Sequence, residues 1–257
     1  MKITLYGAGN MGGAVLEALL ANQHSVTVYD PSETVRNRLS GREGIVLSSD
    51  EKGALKGSEM VFIAVKPAMV GGLCEKIKEV IVRDRPAIVS VAALVKTSFY
   101  EKYFGDVGIV RAMPNLPALC GEGYTALYYK NEIRPEIKSA VKNVFESVGA
   151  VGEFDNEEKI DKIIPVTSSS PAYVCLMIEA MADGAVRLGF SRKEAYEMCE
   201  QAVLGTAAYL KSTSLHPAEL KDRICSPAGT TIEAVAALEE KGFRSAILEA
   251  MEKCIGK

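Results

Sequence analysis

Along the first 155 residues, short apolar runs alternate with stretches in which apolar positions return every three or four residues. KITLYG (2–7), SVTVYD (25–30), MVFIAVKP (60–67), AIVSVAA (87–93) and VGIVRAMPN (107–115) are aliphatic and β-branched, and they read as strands. NMGGAVLEALLANQ (10–23) and GLCEKIKEVIV (72–82) carry helical spacing. Strands alternating with helices predict βαβ units and a parallel sheet. Runs apolar on both faces imply helices on both sides of it. Past residue 155 the strand pattern stops. PAYVCLMIEAMADGAVRLG (171–189) reads as one long helix, apolar nearly all round, with Ala180, Ala182, Gly184 and Ala185 leaving room for a close neighbour. RKEAYEMCEQAVLGTAAYLKS (192–212), TIEAVAALEEKG (231–242) and FRSAILEAMEKCIG (243–256) complete a helical set. That much apolar helix surface predicts a second domain that also forms a subunit interface.

Composition narrows the function more than the fold. The formal net charge is −3 and no block of Lys and Arg appears, which speaks against nucleic acid or an anionic membrane as partner. No run of about twenty apolar residues is read as a bilayer span. The chain enters its first strand without a basic region and apolar signal core, so a cytoplasmic location is expected. Six cysteines lie scattered with no CxxC pair, arguing against zinc or a redox dithiol and for reduced, buried thiols. No metal site is expected. Two histidines, His24 and His216, and no tryptophan limit the chemistry available.

The first strand runs into Gly7-Ala8-Gly9-Asn10-Met11-Gly12 and then a helix, the context in which GxGxxG binds a dinucleotide. Gly7 permits the turn, Gly9 admits the pyrophosphate and Gly12 lets the helix pack on the strand, with helix amides facing the phosphates. The expected fold class is therefore α/β: a Rossmann-type parallel-sheet domain over residues 1–155, followed by an all-helical dimerisation domain over 156–257. Asp30 ends the second strand, where an acid grips the adenosine ribose and disfavours a 2′-phosphate. It also fits a turn residue before Pro31, and Ser32, Thr34 and Arg36 could hold that phosphate. Lys66, in AVKP (64–67), stands at a strand end, where it could reach cofactor phosphate or ribose oxygens or be a solvated loop lysine. Asn115, between Pro114 and Pro117, could bond the nicotinamide amide or serve as a turn residue.

GAGNMGGA, AVKP, RAMPNLPALCGEG, SSSPAYVCLMIEAMADGAV and HPAELKDRICSPAGTTIEAVAALEEKGFRSA together resemble pyrroline-5-carboxylate reductases through most of the chain. The resemblance implies reduction of 1-pyrroline-5-carboxylate to L-proline with NADPH or NADH. It implies a homodimer built by interleaved C-terminal helices, in some members assembled into a higher ring such as a decamer. It places the cofactor also against Ala64, Val65, Pro67 and Ala92. It puts the substrate carboxylate on the backbone of Gly229, Thr230 and Thr231, with Ser226 and the Thr231 hydroxyl beside the ring and the Ser170 loop nearby. Ser226 and Thr231 are thus the candidate catalytic side chains. Three positions depart from the family pattern. Ala228 stands where SPGGTT has glycine, Leu94 where AAG has glycine, and Leu116 where MPNTP has threonine. A methyl at Ala228 perturbs the loop if φ is positive there.

Thr230 and Glu233 also read as a capping box opening a helix. A capped helix start beside Gly229 presents outward amides that bind an anion without a lysine. A cyclic imine is more basic than a ketone, so a donor as modest as the Thr231 hydroxyl, or water, suffices; a chain poor in histidine fits this. Elsewhere, Glu179, Asp183 and Arg187 read as an ion-pair stripe, His216 as a loop or cap residue, Tyr173 as packing and Ser168-Ser169-Ser170 as a helix cap. The rivals are a reductase of another cyclic imine, a β-hydroxyacid-type dehydrogenase and a dinucleotide-sensing protein without turnover. The lack of lysine in 171–189 argues against the second.

Overall fold

The computed structural model describes residues 1–256; residue 257, the last of the expected helical domain, lies outside the described residues. It separates into two compact units, Met1–Ser168 and the helices from Ser169 onward.

The first unit is built on an eight-stranded sheet in the order β3-β2-β1-β4-β5-β6-β7-β8. The strands are β1 (Lys2–Tyr6), β2 (Ser25–Tyr29), β3 (Ile45–Leu47), β4 (Met60–Ile63), β5 (Ala87–Ser90), β6 (Ile109–Met113), β7 (Gly123–Lys130) and β8 (Gly149–Phe154). The first six run parallel, in the strand order of dinucleotide-binding folds, with the order reversing direction at the β1–β4 neighbours. β7 is antiparallel to β6, and β8 is parallel to β7. The reversal follows from the short β6–β7 connection: its prolines and a tight helical turn over Leu116–Cys120 leave no length for a crossover helix.

Helices α1 (Asn10–Ala21), α2 (Glu33–Leu39), α3 (Pro67–Asp84), α4 (Thr97–Phe104), α5 (Pro135–Glu146) and the short α6 (Glu158–Lys162) flank the sheet. One face buries Leu5, Val15, Leu19, Phe62, Val110, Val141 and Phe145; the other buries Tyr6, Ile63, Ile77, Ile88, Tyr100 and Phe104. Each such side chain contributes about 1.5–3 kcal/mol on leaving water. The expected strands at 60–67 and 87–93 are shorter than read, because the ladders stop at Ile63 and Ser90. The residues beyond are loops that lead into helices, 64–66 into α3, whose first residue is Pro67, and 91–96 into α4.

The second unit holds α7 (Ser170–Arg187), α8 (Arg192–Thr213), α9 (Pro217–Ile224), α10 (Thr230–Glu240) and α11 (Phe243–Cys254). Its small core joins Ala182, Ala195 and Cys199 where α7 meets α8. Leu176, Leu188, Leu204, Leu238 and Leu248 are exposed. An apolar groove of about 500 Å³ lies between α7 and α11, lined by Tyr173, Met177, Ala180, Phe243 and Ile247 among others.

Four expectations change. Glu158–Arg187 forms one helical run long and apolar enough, by length and composition, to cross a membrane, contrary to the reading of no such stretch. A helical turn of wider radius at Ile164–Ser168 lies within that run. Only Cys74 and Cys199 of the six thiols are buried: Cys175, Cys225 and Cys254 lie in the second unit, which by itself covers little, and Cys120 ends the exposed turn between β6 and β7. Ser169 occupies the α7 N-cap without a side-chain cap bond; its Oγ lies 3.1 Å from Cys254 Sγ instead. Asp183 pairs with Arg192 at 2.6 Å, so the supposed stripe along α7 reaches to α8. His216 does cap a helix: its Nδ1 accepts from Ala218 N–H at 3.2 Å at the start of α9.

Candidate active site

The GxGxxG loop joins β1 to α1 at the carboxyl edge of the sheet, where ligands of such folds bind. Gly7 has φ +87°, and a Cβ there would meet Ala64 O at 2.8 Å. A Cβ on Gly12 would meet Gly7 O at 2.1 Å, so α1 packs directly on the turn. At Gly9 a Cβ would meet nothing within 4 Å. The outer two glycines are thus required by the chain itself, whereas the middle one faces open space. Gly9 is the α1 N-cap and offers no side-chain cap, which leaves the first amides of α1, from Asn10 and Met11 on, without an intrahelical partner. The loop's shape therefore suits a dinucleotide pyrophosphate.

Asp30 is 7% exposed, and both carboxylate oxygens are engaged. Oδ2 accepts from Ala8 N–H at 2.7 Å and Oδ1 from Ser32 N–H at 2.8 Å. The side chain ties the glycine loop to the end of β2, a stronger constraint than a turn residue alone. Arg36 Nη1 donates to the carbonyls of Asp30 (3.0 Å) and Pro31 (2.6 Å), and Arg38 Nη2 donates to Ala8 O. Ser32 caps α2 through a long bond to Val35 N–H.

Beside Asp30 opens a cleft of about 290 Å³ lined by Tyr6, Tyr29, Pro31, Glu51, Val65, Met69 and Lys76, among others. Its walls are mostly apolar, as suits a flat heterocycle. A hydrogen bond from Lys76 (2.6 Å) holds the Glu51 carboxyl below its ordinary range, and burial raises the Tyr29 phenol. The sequence reading missed this cleft except at Val65. Its walls come from four separated segments, and apart from Val65 only Tyr6, Tyr29 and Pro31, neighbours of Gly7 and Asp30, hinted at it.

The remaining candidates of this unit occupy the same sheet edge. Lys66 is the exposed N-cap of α3, preceded by half-buried Ala64 and Val65 and followed by exposed Pro67. Ala92 is buried just past β5, its N–H bonded to Ser90 Oγ at 3.2 Å. Asn115 is buried and spoken for: Nδ2 donates to Thr167 O and Oδ1 accepts from Tyr124 N–H, both at 2.8 Å. Nδ2 keeps one further hydrogen, but the side chain's evident work is to staple the end of β6.

In the second unit, Ser226–Thr231 forms a tight turn into α10. Gly229 N–H bonds Ser226 O at 3.0 Å, with Pro227 and Ala228 between them. Ala228 has φ +54°. Proline followed by a left-handed residue is the pattern of a type II turn, in which glycine is favoured at Ala228's position. The expected capping box does not form. Gly229, not Thr230, is the N-cap, and no side chain caps the helix. The physical reason is the turn, which puts the extended Gly229 outside the helix and carries Thr230 into its first turn. A Cβ on Gly229 would meet Ser226 Oγ at 2.3 Å, so the serine hydroxyl lies over this residue. Uncapped first-turn amides, the Ser226 hydroxyl and the half-buried Thr231 form a polar cluster at a helix N-terminus, apt for a small anion. Ser170, the first residue of α7, borders the apolar groove of this unit.

Comparison with known proteins bears on both units. Residues 157–257 match the family model described as pyrroline-5-carboxylate reductase dimerisation, and residues 2–94 the model described as NADP oxidoreductase coenzyme F420-dependent. The chain is 41% identical to the pyrroline-5-carboxylate reductase of Escherichia coli, covering 100% of this chain and 96% of that one. Its fold is similar to a pyrroline-5-carboxylate reductase from Coxiella burnetii, with TM-score 0.91, 30% identity and coverage of 98% and 95%. A Plasmodium falciparum pyrroline carboxylate reductase with NADP bound superposes with TM-score 0.87 at 26% identity, covering 99% of this chain and 95% of that one.

Proposed function

The chain belongs to the pyrroline-5-carboxylate reductase family, and from that premise we propose that it reduces the C=N bond of 1-pyrroline-5-carboxylate to give L-proline. The observation that carries the reading is the uncapped start of α10, behind the Ser226–Gly229 turn, in a chain of this family. A carboxylate there meets backbone N–H groups and the positive end of the helix dipole, with no cation needed.

NAD(P)H, when bound, supplies the hydride. The loop of Gly7, Ala8, Gly9, Asn10, Met11 and Gly12 cradles its pyrophosphate, and the open face of Gly9 supports this. Asp30 fixes that loop and borders the adenosine end. The cleft along Tyr29, Pro31, Val65 and Met69 accepts the adenine ring. Ala64, Val65, Lys66, Pro67, Ala92 and Asn115 line the path toward the nicotinamide. Residues 1–155 form the dinucleotide-binding domain in this reading, and 156–257 the substrate-binding and dimerisation domain.

Gly229, Thr230 and Thr231 hold the substrate's acid group, with Ser226 and Ser170 beside it. The Thr231 hydroxyl, beside Ser226, passes its proton to the ring nitrogen as the hydride reaches the ring carbon, and solvent water restores the hydroxyl proton. An imine nitrogen is basic enough that this weak acid suffices. The site's main work is orientation, worth up to about 7–11 kcal/mol of barrier in favourable systems. The exposed apolar surface of α7 and α11 and the dimerisation-model match support a homodimer through these helices, open to a higher ring such as a decamer. The same pairing accounts for the apolar run over Glu158–Arg187 without a membrane, and the enzyme works in the cytoplasm without nucleic-acid partners.

The test is loss of NAD(P)H absorbance with 1-pyrroline-5-carboxylate, run beside other cyclic imines and, in reverse, hydroxyacids. Turnover confined to hydroxyacids would overturn the reading. Thr231→Ala is expected to lower kcat/KM by about 10²-fold, in the range of one lost proton donor, while leaving measurable turnover because the amides still bind. Wild-type kinetics in that variant would remove Thr231 from the reaction.

A further inference from the structure

Arg111 stands in the middle of β6 with 1% of its side chain exposed, among the largest fully buried side chains in the chain. Its Nη1 donates to Glu157 Oε1 at 3.3 Å and its Nη2 to Asp161 Oδ1; Nε has no partner among the described residues. A guanidinium withdrawn from water is tolerable only when such carboxylates face it. Glu157, however, does more than answer that charge. Its Oε1 also accepts from Thr97 N–H at 2.6 Å, and its Oε2 from Thr97 Oγ1 at 2.8 Å.

Thr97 is the first residue of α4, whose own N-cap, Lys96, contributes no side-chain bond. A carboxylate sixty residues further along the chain therefore caps this helix. The capped end is also the far end of the loop 91–96 that leaves β5. The near end is fixed too: Ala92 N–H bonds Ser90 Oγ, which lies 2.5 Å from the Tyr100 hydroxyl. Between these anchors Leu94 has φ +62° and is 69% exposed, so burial of its side chain does not compensate the left-handed backbone. Strained backbone of this kind persists only where its surroundings over-determine it.

Resting on the reading above, in which Ala92 borders the nicotinamide end of the cofactor, we infer that Arg111, Glu157 and Thr97 are positioning residues for hydride transfer. Arg111 fixes Glu157, Glu157 caps α4 at Thr97, and the cap holds the loop 91–96 in its strained shape. None of the three touches the reacting atoms. The rival account is that the cluster only attaches α6 to the sheet.

Thr97→Val separates the two accounts, because it removes the hydroxyl donor and leaves Arg111 paired with Glu157 and Asp161. Glu157→Gln weakens the cap more strongly while keeping its shape. Full-length wild type and both variants are compared by kcat per folded protein, cofactor Kd from nucleotide fluorescence, and the primary deuterium isotope effect with 4-deuterated cofactor. The expected result is a fall in kcat of about tenfold for either variant, as for small misplacements of reacting groups. The isotope effect should rise and Kd stay within about threefold, since most contacts to the nucleotide are untouched. The double variant should be no slower than Glu157→Gln alone, as both act through one cap. Wild-type kcat and isotope effect in both variants, or losses that multiply in the double variant, would overturn the inference even if melting temperatures fell. A wild-type protein that does not turn over 1-pyrroline-5-carboxylate would overturn the functional reading, and this inference with it.

Discussion

Ala228→Gly should stabilise the protein, although replacing alanine by glycine ordinarily does the reverse. Ala228 sits at φ +54° in the turn closed by Gly229 N–H to Ser226 O. An L-residue in the left-handed region costs about 1–2 kcal/mol, which glycine does not incur. Against this, glycine frees the unfolded chain by about 0.4–1 kcal/mol. The difference spans about 0–1.6 kcal/mol and centres on a gain of about 0.8 kcal/mol. For a chain of this size that shifts the melting temperature by about 1–4 °C upward. The neighbouring Gly229→Ala has no such strain to relieve, since φ there is −82°, and should instead displace the Ser226 hydroxyl, whose Oγ would stand 2.3 Å from the new Cβ. Differential scanning fluorimetry and urea unfolding, at one protein concentration because assembly contributes to stability, measure both effects. The relaxed turn should also lower KM for the imine acid, as the amides of α10 are held at less strain. A melting temperature that falls in Ala228→Gly would refute the turn assignment and with it the geometry proposed for the carboxylate.

Other consequences are checked more briefly. Gly12→Ala should abolish nucleotide binding by calorimetry and lower stability, because a Cβ there would stand 2.1 Å from Gly7 O and the obstacle is backbone. The depressed Glu51 carboxyl, held by Lys76, contributes stability that is present above the ordinary carboxylate range and is lost as pH falls through its lowered value. Lys76→Met should therefore raise the Glu51 titration midpoint by carbon NMR, and its effect on the urea midpoint should be seen at pH 7 and vanish in strong acid. Burial pushes the Cys74 thiol up to about 12, so Cys74 should resist a thiol reagent that labels exposed Cys120 within the dead time.

Much of the first unit was legible because its signals are local. The strands β1, β2, β4, β5 and β6 are nearly pure aliphatic runs, and the glycine spacing after β1 announces its own backbone geometry. The strands that escaped are those whose order comes from neighbours. β3 is three residues long, and β8 holds Gly149 and Gly152 at the sheet edge. β7 carries half-exposed tyrosines and is fixed by pairing with β6 on one side and β8 on the other. The site divides likewise. Asp30 was found from its distance to Gly12, but that both its oxygens serve backbone amides could be read only from folded coordinates. Asn115 was found as a polar residue at a strand end, whereas its partners, Thr167 and Tyr124, are remote in sequence or unremarkable in type. The T-x-x-E pattern at Thr230 misled because a turn closed by Ser226 moved the cap one residue back, an effect invisible to spacing.

Of the three positions that depart from the pattern the chain resembles, Leu116 exchanges a side chain, whereas the other two fall on backbone geometry. Leu94 and Ala228 both stand where that pattern has glycine, and their φ angles are +62° and +54°. Each keeps the left-handed backbone that glycine adopts freely, so the shape has been retained against the preference of the side chain. That outcome is expected if amides and loop contours, not titrating groups, do the chemistry. A side chain that reacts is lost when replaced, but a backbone conformation survives substitution as long as its anchors hold. Here the anchors can be named: Glu157 and Ser90 for the loop at Leu94, and the Ser226–Gly229 hydrogen bond for the turn at Ala228. Removing an anchor should therefore damage turnover more than restoring the glycine improves it, and this asymmetry separates a scaffolded backbone site from one built on side-chain acids and bases.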